Sequence, residues 1–152
     1  MTITKVALPE EKKAVARAVL TALPEWFGIE EALETYIADS AEQTFFAAEE
    51  DGEPIGFLCL KETGDATMEL AVMGVRKEWH RQGIGSALFG RAKADARARG
   101  YAFMQVKTVQ MGRWACYDAT NRFYLSLGFR EFEVFPTLWD EWNPCQVYVL
   151  AL

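Results

Sequence analysis

The stretch His80–Leu88, HRQGIGSAL, decides how the fold of this chain is interpreted. It follows an apolar, strand-like run and opens a long alanine-rich segment with helical periodicity. Amides in the first turn of a helix lack intrahelical partners, and the helix dipole adds partial positive charge there. Because glycine lets a backbone approach a ligand closely, Gly83 and Gly85 favour a site where main-chain N–H groups hold phosphate oxygens. The simpler alternative is an ordinary loop-to-helix turn.

Residue spacing excludes two better-known phosphate loops. No Gly-x-x-x-x-Gly-Lys-[Ser/Thr] run occurs, and Leu88 stands where a dinucleotide-binding fingerprint needs its third glycine. The remaining pattern, [Gln/Arg]-x-x-Gly-x-[Gly/Ala], resembles the acetyl-CoA pyrophosphate loop of the GNAT N-acetyltransferase superfamily. His80 replaces the usual Gln or Arg. This departure is mild, because backbone amides hold the pyrophosphate in that family.

A second segment, Asn121–Phe129 (NRFYLSLGF), resembles the GNAT segment in which a helix ends and the next strand begins. In the family a tyrosine of this segment protonates the departing CoA thiolate, and the matching residue is Tyr124. The alternative role of Tyr124 is packing on the sheet. The family often has an asparagine seven residues earlier, where this chain has Tyr117, and Asn121 lies out of register. Neither residue is assigned the asparagine's role, although Tyr117 remains a candidate cofactor contact.

The resemblance also implies where the rest of the cofactor lies. In GNAT proteins the pantetheine arm hydrogen-bonds to the open edge of the strand before the phosphate loop. Gly74 in that strand is expected to leave room for the arm, or else to mark a β-bulge. The residues expected to bind acetyl-CoA are Met73, Gly74, Val75, Arg81, Gln82, Gly83, Ile84, Gly85, Ser86 and Tyr117.

Glu69 is the candidate base that takes a proton from the acceptor amine, directly or through water. Apolar Met68 and Leu70 flank it, so its carboxylate lies either on a solvated sheet face or in the cleft. A chain of water molecules is the alternative base.

The acceptor side of the site is expected to be aromatic and acidic. In the family, acceptor specificity comes from the segment between the first two helices and from the final hairpin loop. Here the first offers Trp26 and Phe27 beside Glu25, and the second offers Trp139. Aromatic walls with a carboxylate suit a small cationic amine. The alternative is that Trp139 and Trp142 cover the sheet edge or form a homodimer contact.

Charge and length restrict the other functions. The chain has 152 residues, the size of one domain, and a net charge of −6 that argues against nucleic acid as a partner. Residues 76–99 nevertheless hold seven basic and two acidic residues, a net of +5. A local basic stretch suits a small polyanion such as CoA, and the alternative is a solvated helix face.

Neither a membrane nor an oxidising compartment is indicated. No apolar stretch is as long as a membrane span, and the N-terminal residues lack the apolar part of a signal peptide, so we expect a cytoplasmic protein. The three cysteines have no Cys-x-x-Cys spacing, and Cys59 lies in an apolar run that predicts a core position. No metal site is expected, because no His/Cys/Asp/Glu cluster has ligand spacing.

Hydrophobic periodicity predicts an α/β chain with the element order β-α-α-β-β-β-α-β-α-β-β and a mixed sheet. Ile84, Leu88, Ala92 and Ala96 predict the buried face of the long helix, and Gly90 is expected to allow close packing there. Leu23–Gly28 is expected to break the first helix. A crossover through the long helix predicts that strand 103–109 lies parallel to strand 67–75. The GNAT fold has the same order, with a splayed central sheet.

Together these features predict a single GNAT-like domain over residues 1–152. The resemblance implies an N-acetyltransferase that moves acetyl from acetyl-CoA to a primary amine, of a small molecule or a peptide, by direct attack. One alternative is a non-catalytic module that binds or senses acyl-CoA. Another is an enzyme that uses a longer acyl-CoA.

Overall fold

The computed structural model describes residues 1–152 and gives the predicted order of elements, with one short helix added. A 3-10 turn at Lys77–Trp79 precedes the phosphate loop. The elements are β1 (Thr2–Val6), α1 (Pro9–Leu20), α2 (Pro24–Phe27), α3 (Glu30–Ser40), β2 (Thr44–Glu50), β3 (Glu53–Gly64), β4 (Thr67–Val75), α4 (Ile84–Ala98), β5 (Phe103–Val109), α5 (Ala115–Ser126), β6 (Arg130–Phe135) and β7 (Cys145–Ala151).

The seven strands form one mixed sheet in the order β1-β2-β3-β4-β5-β7-β6. The β4–β5 pair is parallel, as predicted from the crossover, and the β1–β2, β2–β3, β5–β7 and β6–β7 pairs are antiparallel. The turn between β2 and β3 has Asp51 at φ 51° and Gly52 at φ 79°. Positive φ at both central residues is the hairpin geometry that an Asp-Gly pair favours.

The chain packs as two compact units. The first unit consists of Met1–Lys61 and Ala71–Asp95, and the second unit consists of Glu62–Leu70 and Ala96–Leu152. The division falls within β4, between Leu70 and Ala71.

The core of the first unit forms where α1 packs on strands β2 and β3. Pro9 begins the helix and Glu10 and Glu11 occupy its first turn, where the helix dipole favours negative charge. Its buried residues meet the stacked rings of Phe45 and Phe57, whose centroids lie 5.1 Å apart. These α1 residues are Val15, Ala16, Val19 and Leu20.

Helix α2 was not expected, because a Leu-Pro pair followed by a glycine predicted only a break. Pro24 stands at the start of this single turn, where a missing N–H costs nothing. The turn is tight at its other end: a Cβ on Gly28 would lie 2.6 Å from the Pro24 carbonyl oxygen. The predicted end of the first helix before this segment is confirmed, and the segment itself forms a second, very short helix.

The predicted buried face of α4 is confirmed, and one prediction about this helix is wrong. Ile84, Leu88, Ala92 and Ala96 are all at most 5% exposed. Gly90 is exposed, and a Cβ built on it meets nothing within 4 Å, so it does not allow close packing. Its position on the solvent side explains why the buried pattern continues undisturbed around it.

In the second unit the start of β4 pairs with β5, β5 pairs with β7, and β7 pairs with β6. The β4–β5 register runs from Thr67↔Phe103 to Leu70↔Val106. Helix α5 ends where Gly128 adopts a φ of 101°, a left-handed conformation that suits glycine. Strand β6 is the last strand of the sheet, and its ladder with β7 is irregular between Glu131 and Glu133.

Candidate active site

The phosphate loop has the backbone geometry that an anion site needs. Arg81 has a φ of 61° and Gly83 a φ of 79°, so the chain turns sharply just before α4 begins at Ile84. The Ala87 amide donates to the Gly83 carbonyl at 3.0 Å, which makes Gly83 the residue before the first turn. The amides of Ile84, Gly85 and Ser86 therefore have no i−4 partner in the helix.

Side chains of the loop hold the turn together. Gln82 Nε2 donates to the Glu78 carbonyl at 3.0 Å, and Ile84 is buried at 5% exposure and so anchors the start of α4. The residues from Arg81 to Gly83 and Ser86 are exposed, and Gly85 is half-buried. The backbone at the start of α4 is thus both fixed and open to solvent.

His80 makes a contact that its position in the family pattern does not predict. Its Nε2 lies 2.6 Å from the Val75 carbonyl oxygen, in a hydrogen bond where the ring N–H donates. The same ring forms an edge contact with the Trp26 ring, with centroids 6.1 Å apart and an interplanar angle of 75°. Nearby, Lys77 Nζ and Glu25 Oε1 form an ion pair between the 3-10 turn and α2.

The end of β4 has backbone groups that the β5 ladder does not use. That ladder stops at Leu70, and β4 continues to Val75. The Arg76 amide donates to the Ile55 carbonyl of β3, and peptide groups alternate in direction along a strand. The N–H and C=O groups of Met73 and Val75 therefore point away from β3. Of these, the Val75 carbonyl accepts a hydrogen bond from His80.

Gly74 has a packing role that the sequence did not indicate, because side chains fill the space where a Cβ would lie. A Cβ on this residue would lie 3.0 Å from Leu23 Cδ1, 3.2 Å from Val19 Cγ1 and 3.4 Å from Leu20 Cδ2. Gly74 thus lets the end of α1 and the following Leu23 pack closely on β4. Its backbone stays a predicted cofactor contact.

In the second unit, Tyr124 lies near the C-terminal end of α5, where the sequence places it, and is only 6% exposed. Its ring belongs to an aromatic cluster with Phe129, 5.9 Å away in an edge contact, and with Tyr148 at 6.3 Å. The packing role weighed for Tyr124 is therefore present. Its role as the acid that protonates the CoA thiolate stays a prediction.

Asn121 is fully buried and its amide is used within the protein. Its Nδ2 donates to the carbonyls of Val109, at 2.8 Å, and Tyr117, at 2.7 Å. Its Oδ1 accepts from the Tyr148 hydroxyl at 2.5 Å. Because both N–H groups and the oxygen have protein partners, Asn121 joins α5 to β5 and β7 and has no donor left for a cofactor. Tyr117 itself is half-buried.

Glu69 is 5% exposed, which excludes the solvated sheet face as its location. Lys107 Nζ lies 2.9 Å from Glu69 Oε1. A buried carboxylate needs such a partner, because burying an isolated charge is costly. Sequence reasoning missed Lys107. The parallel register could have indicated it, since Glu69 pairs with Gln105 and residues two apart share a face.

The predicted acceptor residues fall in both units. Trp26 and Phe27 are half-buried on α2 and pack on the core of the first unit, and Phe27 also meets the Tyr36 ring edge-on at 5.5 Å. Trp139 is in the second unit, in the loop between β6 and β7, and is 47% exposed. Trp142 is 70% exposed, so it does not cover the sheet edge.

The loop that carries Trp139 is ordered by polar contacts of its own. The Asp140 carboxylate accepts from the amides of Trp142 and Asn143, each at 2.8 Å, and hydrogen bonds from the Asn143 side chain are the main cause that lowers the pKa of Asp140. Trp114 Nε1 donates to Asn143 Oδ1 at 2.8 Å. The loop therefore presents its indoles from a fixed backbone.

Two of the three thiols are poor candidates for nucleophiles. Cys59 and Cys145 are buried, and burial raises the pKa of each thiol above its ordinary value. A thiol must lose its proton to act as a nucleophile, so a covalent acyl-cysteine route through either residue is disfavoured.

The structure combines a mixed α/β fold with a sharp turn between β4 and α4, where Arg81 and Gly83 have positive φ. A family model described as the GNAT acetyltransferase domain matches residues 41–131. The chain belongs to the GNAT acetyltransferase family. No curated protein matches it in sequence.

Solved structures with the same fold include acetyltransferases named for different substrates. A protein from Desulfovibrio desulfuricans assigned to the GNAT family shares 22% identity, with a TM-score of 0.78 over 99% of this chain and 98% of that one. An aminoglycoside 6′-N-acetyltransferase in complex with coenzyme A shares 19%, with a TM-score of 0.75 over 99% and 97%. An IAA acetyltransferase from Bacillus cereus shares 22%, with a TM-score of 0.71 over 99% of each chain.

No helix combines the length and the apolar character needed to cross a bilayer.

Proposed function

We propose that this protein transfers the acetyl group of acetyl-CoA to a primary amine. The observation that carries the proposal is the turn before α4, where Arg81 and Gly83 have positive φ and the next three amides have no helical partner. Such amides at a helix N-terminus bind phosphate oxygens. Family membership and the coenzyme A complex of an aminoglycoside 6′-N-acetyltransferase support the same co-substrate.

The pyrophosphate would be held by the amides of Ile84, Gly85 and Ser86, with Arg81 and Gln82 beside it. The pantetheine arm would pair with the edge of β4 at Met73 and Val75. Because His80 already donates to the Val75 carbonyl, we expect the Val75 amide and the peptide groups of Met73 to be the main partners of the arm. Tyr117 completes the predicted cofactor contacts.

The reaction would be a direct attack. The amine nitrogen forms a bond to the thioester carbonyl carbon, the C–S bond breaks, and the electron pair leaves on sulfur. Tyr124 would donate its hydroxyl proton to that sulfur, which stabilises the developing charge. Glu69, or water, would take the proton that the amine loses. The raised pKa values of Cys59 and Cys145 disfavour an acyl-enzyme on either of these two thiols.

The acceptor would be a small cationic amine. Trp26 and Phe27 offer aromatic surface in the first unit, next to Glu25, and Trp139 offers an exposed indole in the second unit. Cations bind favourably over aromatic faces. One solved structure with the same fold is an aminoglycoside 6′-N-acetyltransferase, and aminoglycosides are cationic amines. Peptide N-termini belong to the same chemical class of acceptor.

The test is the affinity for acetyl-CoA of Gly83→Asp and Gly85→Asp, measured by calorimetry. A carboxylate beside the pyrophosphate should weaken binding by about 100-fold or more, because juxtaposed like charges cost several kcal/mol. Gly52→Asp is the matched control: its φ of 79° equals that of Gly83 and it also has open space around it. Equal affinity in wild type, Gly83→Asp and Gly85→Asp would refute the site.

Thiol release with a panel of amines tests the catalytic part of the proposal. An enzyme releases free CoA in the presence of its acceptor. A protein that binds acetyl-CoA and releases no thiol with any amine would instead be an acyl-CoA-binding module.

A further inference from the structure

We propose that His80 is a positioning residue that couples the phosphate loop to α2. Binding of the CoA pyrophosphate would then also set the position of Trp26, one of the proposed acceptor contacts. This inference rests on the function proposed above and concerns the regulation of that site. Every residue that carries it belongs to the first unit.

The first step is the link from His80 to the strand. Its Nε2 bonds to the carbonyl of Val75, the last residue of β4, across the 3-10 turn at Lys77–Trp79. The next residue, Arg81, has a positive φ, which is costly for a residue with a side chain and therefore needs support from its surroundings. The His80 bond supplies that support by fixing the residue on the N-terminal side of Arg81.

The second step is the link from His80 to α2. The Trp26 ring meets the His80 ring edge-on, an arrangement that aromatic pairs favour. Glu25, next to Trp26, and Lys77, three residues before His80, form an ion pair that joins the same two segments. The loop and α2 are thus connected twice, through one ring contact and one pair of charges.

The third step concerns α2 itself. A helix of four residues cannot be stable alone, because forming the first turn costs more than its hydrogen bonds return. Its position must come from its neighbours. Leu23 fixes its N-terminal side over Gly74, and the contacts of Glu25 and Trp26 fix the side next to the loop. A change in the loop therefore has a direct route to Trp26.

Coupling of this kind is reciprocal: if the loop sets the position of Trp26, then Trp26 affects the affinity of the loop for phosphate. Substitution of Trp26, which is not among the predicted cofactor contacts, should weaken CoA binding. The effect should pass through the His80 ring. Both statements can be measured with CoA alone, without knowledge of the acceptor.

The experiment is a double-mutant cycle on CoA affinity by calorimetry, with Trp26→Leu, His80→Gln and the double variant. Glutamine keeps an N–H donor for the Val75 carbonyl but has no ring for Trp26. We expect Trp26→Leu to weaken CoA binding about fivefold or more with His80 present, the lower end of typical couplings between sites. In the His80→Gln background, the same change should alter affinity by less than about twofold, the range of independent sites.

Two further variants control for folding. Tyr36→Leu removes the ring contact on the other side of α2, the one to Phe27, and should leave CoA affinity unchanged. Trp26→Met, which also lacks a ring and is larger than leucine, replaces Trp26→Leu if that change lowers the unfolding temperature. His80→Ala, which loses the donor as well, should bind CoA more weakly than His80→Gln.

The outcomes separate the two proposals. If wild-type protein does not bind CoA, the proposed function fails, and this inference with it. If wild-type protein binds CoA and Trp26→Leu changes its affinity equally in the wild-type and His80→Gln backgrounds, or not at all, the coupling is refuted and the proposed function stands.

Discussion

At the scale of single residues, the site combines groups whose packing is clear with groups whose chemistry is proposed. Tyr124 shows this best, because its ring is packed among Phe129 and Tyr148 while its hydroxyl is the proposed acid. A buried ring holds a hydroxyl in one place, and catalysis by a general acid depends on such placement. Packing and proton donation are thus compatible roles for one residue.

Tyr124→Phe separates the two roles. Removing the hydroxyl should lower turnover by about 100-fold to 10,000-fold, the usual contribution of a general acid, and should change CoA affinity by much less. Steady-state kinetics with calorimetry measures both. Tyr148→Phe is the matched control, since it removes a hydroxyl from the same cluster, and its effect should be on stability. Unchanged turnover in Tyr124→Phe would assign Tyr124 to packing alone.

At the scale of elements, buried polar side chains hold the second unit in register. Asn121 connects α5 to the end of β5 through the Val109 carbonyl and to β7 through Tyr148. Helix and strand could slide against one another if only apolar contacts joined them, because such contacts have little direction. Two directional bonds from a buried amide, one to β5 and one to β7, fix their relative position.

Asn121→Leu should therefore destabilise the protein strongly. The change leaves the Val109 carbonyl and the Tyr148 hydroxyl without their partner, which costs about 3 kcal/mol in the free energy of unfolding. Urea denaturation measures this loss. Tyr148→Phe deletes one of these bonds and should cost about 1–2 kcal/mol. A loss in Asn121→Leu no larger than in Tyr148→Phe would show that the amide does not connect the elements.

At the scale of the whole molecule, apolar runs predicted the elements well and contacts between distant residues were missed. The bounds of β4 and β5 are as predicted, because each is a dense β-forming run between turn residues. Strand β3 runs on to Gly64 through exposed residues, and these carry no apolar signal that would indicate a strand.

In the candidate active site, too, local features could be predicted and contacts between distant residues could not. The sharp turn into α4 could be predicted because its glycines, strand and helix are adjacent in the sequence. The packing of Leu23 on Gly74, the pairing of Lys107 with Glu69 and the contact of Trp26 with His80 join residues far apart in the chain. Contacts of this kind depend on strand register and helix packing, which no local sequence pattern encodes.

The uneven burial of the three cysteines has a practical consequence. Cys59 and Cys145 are sealed in the interior with raised pKa values, whereas Cys116 is half-buried on α5, directly before Tyr117. A maleimide dye should therefore attach to Cys116 first without any engineering of the chain, as mass spectrometry of the digested, labelled protein can verify. Such a fluorophore would sit beside a predicted cofactor contact and could report on ligand titrations optically.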